Sequence, residues 1–185
     1  MKSIGLGCHC NGCPLKEKRA SEEYMHSPSE FIEGNPKAHI WIIGLNPGFE
    51  QGVNKLKSRN GNILNIPKTI TDPFFSKYKR ISSDLFMKNG DAKFAHTDLV
   101  KCASHSFTSK SIGANVKDVT NKCSEYLKDH ISMYSPSIIL AAGVHTQTEL
   151  VRLYTTSSDP HGYVRKNTSF SFVNTNSKTV QVVFC

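Results

Sequence analysis

Apolar residues along the chain gather in short runs separated by polar stretches. HIWIIGL, residues 39–45, is a near-continuous apolar run of strand length, as a parallel strand covered on both faces requires. FAHTDLV, residues 94–100, predicts a second strand, and SIILAAG, residues 137–143, a third. Between them, residues 115–134 put Val116, Val119, Cys123, Leu127 and Ile131 on roughly one helical face. Pro136 breaks that helix, and Gly143 opens another that runs through Leu153. Helical spacing also marks residues 76–88, at Tyr78, Ile81, Leu85 and Phe86, and a short helix is expected around residues 16–25. In the tail, SFSFV and TVQVVFC flank a turn around Asn174 to Lys178, which predicts a hairpin. Strands alternating with helices predict an α/β fold: a single three-layer domain over residues 1–185 with a central, mostly parallel sheet.

Composition narrows the class. The 185 residues suffice for one domain with its own core. No apolar run reaches the roughly 20 residues of a membrane-spanning helix, and the start, MKSIGLGCHC, lacks the apolar core and cleavage site of a signal peptide. The expectation is a soluble, cytoplasmic monomer without membrane attachment. The formal net charge of +8 favours an anionic partner, of which nucleic acid is the commonest, over the plainer reading of a basic surface that keeps the chain soluble. Lys55, Lys57, Arg59, Lys77, Lys79 and Arg80 cluster in or beside a long loop over residues 52–75, rich in Gly, Asn, Lys and Pro.

There are six cysteines. Cys10 and Cys13 form a C-x-x-C pair, Cys102 follows the second strand, and Cys123 lies in the helix after it. In a chain without a secretion signal, metal or cluster ligation is a stronger explanation than a disulfide framework. Two thiolates from one loop and two from elsewhere suit zinc or an iron–sulfur cluster; buried cysteines acting as small hydrophobes are the alternative for Cys102 and Cys123. Cys8 stands close enough to replace Cys10, and Cys185 reads as a strand residue.

Four stretches fall into the order of one superfamily. CNGCPLKEKR resembles the cysteine-rich start of the iron–sulfur uracil-DNA glycosylases, families 4 and 5. IWIIGLNPG is similar to the superfamily's first catalytic motif, its Asn-Pro-Gly form being nearest the mismatch-specific and single-strand-selective branches. HTDLVKCAS resembles the family 4 strand motif T-N-x-x-K-C. CSEYLKDHISMYSPSIILAAG resembles the segment that carries a fourth cysteine, a helix, and a Pro-led strand ending in Gly. The resemblance covers residues 8–150 and implies DNA as partner and hydrolysis of an N-glycosidic bond to uracil or another deaminated or modified base. It also implies a structural [4Fe–4S] cluster on Cys10, Cys13, Cys102 and Cys123, with zinc as the alternative.

The resemblance gives the polar break after the first strand a role. Asn46 would orient the water that attacks the sugar carbon, while Pro47 and Gly48 shape the turn. The extruded base would lie against Leu45 and an aromatic ring: Phe74, which follows Pro73, ahead of Phe75 and Phe49. Core packing is the plain alternative for any of these rings, as an ordinary turn is for Asn-Pro-Gly.

Two departures stand out. Asp98 occupies the position where family 4 uses asparagine to read uracil. An ionised aspartate cannot donate to uracil O4, but it can accept from an exocyclic amine such as that of cytosine. A protonated Asp98 is a second option, and a structural one, capping a loop or pairing with Lys101, is the third. Further on, VQVVFC resembles the strand that leads to the superfamily's His-Pro-Ser motif, yet the sequence stops at Cys185. The expectation is a domain lacking its C-terminal end, or a site that has lost that half; without it the chain is a weak or inactive DNA-binding member. His145, at a helix start, and His161, read as a solvated loop residue, are unsupported substitutes. Outside the family, a zinc-binding structural or regulatory domain is the remaining reading.

Overall fold

The computed structural model describes residues 10–15, 32–46, 77–78, 93–102, 104 and 106–185. The expected helix around residues 16–25, the loop over 52–75 and most of the helix over 76–88 lie outside them; within that last segment Lys77 and Tyr78 are helical.

The apolar run at His39 becomes β2, Ile40–Gly44, after a two-residue strand β1, Glu33–Gly34. The second run gives β3, Phe94–Asp98; α1, Ser109–Ile112, and α2, Val116–Tyr134, follow it. The remaining elements are β4 Ile138–Ala141, α3 Val144–Tyr154, α4 Pro160–Lys166, β5 Ser169–Val173 and β6 Thr179–Phe184. The six strands form one sheet in the order β1-β3-β2-β4-β6-β5. The β2–β3, β2–β4 and β4–β6 pairings are parallel. The two edge pairings, β1–β3 and β5–β6, are antiparallel, the latter being the expected hairpin. The α/β class and the mostly parallel sheet are therefore as the periodicity predicts.

Local chemistry explains the helix ends. The Asn115 side chain accepts from the Lys117 amide at 2.9 Å and so caps α2. Ser135, in the left-handed region at φ 50°, closes the other end by donating its N–H to the Ile131 carbonyl, just before Pro136. Thr108 and Ser111 form a capping box at α1, a helix that the Ser/Thr/Lys-rich stretch had concealed.

The main core lies on one sheet face. Trp41 and Ile43 of β2, Ala95 of β3, Ile139 and Ala141 of β4, and Val180 and Val182 of β6 meet Leu127 and Ile131 of α2 and Leu150 and Val151 of α3. Burial of each such large side chain contributes about 1.5–3 kcal/mol. On the other face Ile42, Phe94, His96 and Asp98 are buried too, so the β2–β3 half of the sheet is covered on both sides, as a three-layer arrangement requires. No helix among the described residues is long and apolar enough to cross a membrane.

Candidate functional site

The parallel strands end together. Gly44 closes β2 and pairs in register with Asp98, which closes β3. The predicted second strand is shorter than FAHTDLV, yet its last residues still serve the ladder: Leu99 N–H donates to Gly44 O at 2.9 Å and Val100 N–H to Leu45 O at 2.8 Å. This stitching holds the Leu45–Asn46 bend beside the chain that leads to Cys102. Leu45 is half-buried and packs on the main core. Asn46 is half-buried, and its Nδ2 donates to the Ser104 hydroxyl at 2.9 Å. Ser104 is itself buried. Sequence reasoning did not single out Ser104, because nothing in the order of residues shows that position 104 folds back on position 46.

Asp98 is 4% exposed. Its Oδ1 stands within clashing distance of where a β-carbon on residue 44 would be, so a larger residue there would have to displace it. His96, two residues earlier on the same strand face, puts Nε2 3.7 Å from that oxygen. Its Nδ1 lies 2.5 Å from Glu33 Oε2, across the β1–β3 pairing in which Glu33 and His96 are direct partners. Asp98 Oδ2 has no hydrogen-bond partner among the described residues. The expected pairing of Asp98 with Lys101 takes a different form: Lys101 Nζ donates to the Asp98 backbone carbonyl and to Thr97 Oγ1, both at 2.5 Å. Lys101 is buried, and desolvation pulls its ammonium down to about 8 against the opposing pull of Asp98 and Cys123.

Three of the four cysteines pack together. Cys13, Cys102 and Cys123 share an apolar cluster with Leu15, Val100, Ile112 and Val119. Cys10 Sγ lies 3.4 Å from the Tyr126 hydroxyl, one helical turn beyond Cys123. Gly12, at φ 70°, makes the tight turn in which Cys13 N–H donates to Cys10 O at 3.0 Å. All four are buried thiols. Burial pushes the Cys123 thiol up to about 11, opposed by a hydrogen bond from the Lys101 backbone N–H, while Cys13 and Cys10 push it further up. Among the described residues no three His, Cys, Asp or Glu side chains stand as ligands of a single metal ion.

Other expectations are placed differently or fall elsewhere. Phe49, Phe74, Phe75 and Cys8 lie outside the described residues, as do Lys55, Lys57, Arg59, Lys79 and Arg80. Cys185 is exposed, one residue past β6, where its carbonyl accepts from Gly143 N–H and Gln147 Nε2. His145 is exposed in the first turn of α3. His161 is not in a loop: Asp159 caps a short helix behind Pro160, and His161 Nδ1 stands 3.4 Å from Thr148 Oγ1. A cavity of about 600 Å³ beside α3 and α4 is lined by Tyr154, Ser157, Tyr163 and Phe170, and contains none of the residues above.

The family model of the uracil DNA glycosylase superfamily matches residues 31–182. The chain belongs to this superfamily. The matched span contains Asn46, Asp98, Cys102 and Cys123, whereas Cys10 and Cys13 precede it. The matched span covers the ends of β2 and β3, and the C-x-x-C turn lies outside it. No curated protein matches the chain.

Proposed function

We propose that the protein is a DNA base-excision glycosylase that hydrolyses the N-glycosidic bond of uracil or another deaminated or modified base. The observation that carries this reading is the pairing of two strand ends: Asn46 just past β2 and Asp98 at the end of β3, joined by the Gly44–Asp98 register in a chain of the uracil DNA glycosylase superfamily. Ligand sites of open α/β sheets gather at this edge.

The chemistry requires a water aligned on the sugar carbon and a base that leaves with the bonding electrons. Asn46 is assigned to the water. Its amide is anchored through Nδ2 to Ser104, which fixes the plane of the carbonyl that would accept from the water. An amide does not take the proton; it aligns the nucleophile as the bond to the base breaks, and the proton that the water loses passes to the departing base anion. Asp98 is assigned to the base edge and Leu45 to the floor beneath the base. The aromatic faces expected of Phe49, Phe74 and Phe75 belong to the same reading.

Cys10, Cys13, Cys102 and Cys123 are assigned as ligands of a [4Fe–4S] cluster. The donor set supports this: four buried thiols from three segments, an apolar shell, and a backbone N–H aimed at Cys123. Zinc, which would take the same thiolates onto one ion, is the alternative; a cluster takes one thiolate per iron. Such a cluster would supply a structural pin between the N-terminal turn, the strand motif and α2. DNA is the proposed partner. Lys110, Lys117 and Lys122 are exposed on α1 and the first turns of α2, helices that pack on the cysteine cluster through Ile112 and Val119, and they would meet backbone phosphates.

The test is excision from labelled oligonucleotides that carry uracil, hypoxanthine or xanthine, with abasic sites revealed by alkaline strand scission. Release of any of these by the wild-type chain, abolished in Asn46→Ala, supports the reading. DNA binding with equal, negligible scission by both proteins contradicts it in favour of a binding module, a reading that the substitution of aspartate at position 98 favours.

A further inference from the structure

The pair Glu33–His96 has no part in the reading above. Both residues are buried, at 5% and 4% exposure, and they occupy directly opposed positions on β1 and β3. A two-residue edge strand is a costly place for a buried carboxylate unless that carboxylate is matched. Glu33 Oε2 stands 2.5 Å from His96 Nδ1, so the imidazole donates there. The second ring nitrogen faces Asp98 Oδ1 at 3.7 Å. His96 thus stands between two carboxylates, in hydrogen-bond contact with Glu33 and within ion-pair range of Asp98, the second contact being longer than a hydrogen bond. From β2 only Ile42 and Gly44 meet this trio in register, and neither carries charge. Lys101, beyond β3, reaches the Asp98 carbonyl rather than its carboxylate. Asp98 Oδ1 lies 3.7 Å from His96 Nε2, in space that the missing β-carbon of Gly44 leaves open. The remaining Asp98 oxygen, Oδ2, is buried and has no hydrogen-bond partner among the described residues. A buried carboxylate oxygen left so costs stability, unless a ligand completes it.

We propose that Glu33 and His96 are positioning residues that hold Asp98 as a charged hydrogen-bond acceptor, and that the site selects a base presenting an amino group, rather than a carbonyl, to Asp98. This rests on the glycosylase reading for the location of the base. It names the substrate class: bases carrying an exocyclic amine, such as oxidised or alkylated cytosines. A carbonyl at the same ring position would face the carboxylate with repulsion, whereas the amine supplies the missing donor to Oδ2.

Two measurements on the full chain test this. In nitrogen NMR of histidine-labelled protein at neutral pH, with His96→Gln supplying the assignment, both His96 ring nitrogens should resonate as in an imidazolium. Glu33→Gln should return them to the neutral pattern. A neutral His96 in the wild-type chain overturns the relay whatever the activity. The second measurement compares single-turnover excision of 5-hydroxycytosine and 5-hydroxyuracil, which differ at ring position 4, amine against carbonyl, and at N3, an acceptor in the first and an N–H donor in the second. The amine-bearing base should be favoured by at least about tenfold. Asp98→Asn should reverse the order, and Glu33→Gln should shrink the preference while the thermal melt stays cooperative. An equal or opposite preference in the wild-type chain overturns the specificity. A charged His96 in a chain that excises neither these bases nor uracil, hypoxanthine or xanthine overturns the glycosylase reading and the substrate class with it, but not the relay.

Discussion

Asp98 Oδ1 fills the space that a β-carbon on Gly44 would need. The two residues close neighbouring parallel strands and pair in register, so the absence of one side chain sets the position of the other. Gly44→Ala must therefore push the carboxylate away from His96 or spread the strands. The expected cost is about 1–3 kcal/mol, as for overpacking elsewhere in protein cores, with loss of base discrimination although Asp98 is still present. Urea denaturation of the two proteins measures it, and equal midpoints would show that Asp98 moves aside freely.

Ser104 anchors Asn46 through one hydrogen bond of 2.9 Å. Ser104→Ala should leave the fold intact and slow excision by roughly tenfold, the kinetic equivalent of about 1 kcal/mol. Binding of abasic-site DNA should not change. A rate equal to wild type would remove Ser104 from the account.

The cysteine assignment separates ligands from a bystander. Cys123→Ser should lose iron and unfold more readily, since ligand binding and folding are linked; Cys185→Ser, altered at an exposed position, should change neither. Iron content and absorbance near ~400 nm report on both. Full iron occupancy in Cys123→Ser, or one bound zinc and no iron in the wild-type chain, contradicts the assignment.

Exposed lysines beside the cysteine cluster should contribute non-specific affinity. Replacing Lys110, Lys117 and Lys122 together by Gln should weaken binding similarly across DNA sequences and flatten the salt dependence by about 3 in the slope of log K against log salt. An unchanged slope places the DNA elsewhere.

The fold was legible where the pattern is local. HIWIIGL and SIILAAG are short and uniformly apolar because they lie inside a covered sheet, and the α2 stripe repeats because one helical face meets that sheet. The motif order gave the superfamily, and the C-x-x-C spacing drew attention to Cys10 and Cys13 before any geometry was known. The rest depends on chain reversals that no local pattern encodes. Ser104 reaches Asn46 across 58 positions, and Glu33 reaches His96 across 63. The short strand β1 has too few residues for a period, and α1 is concealed by its Ser and Thr residues, which favour caps and loops as readily as helix. His161 reads as a loop residue because Asp-Pro-His-Gly is turn chemistry, yet Asp159 and Pro160 are also an N-cap and a first helical residue. Reading Asp98 as a partner of Lys101 placed the two together correctly but chose the wrong acceptor atom.

The central claim is that the end of β2 carries hydrolytic chemistry, and Asn46→Ala tests it most directly. Single-turnover excision and DNA affinity should be measured side by side on the best substrate of the panel. The account predicts a rate lower by on the order of 100-fold or more, with affinity within about twofold, because the aligned water matters only as the bond breaks. A variant that cleaves as fast as wild type, or loses rate only in proportion to affinity, would contradict it.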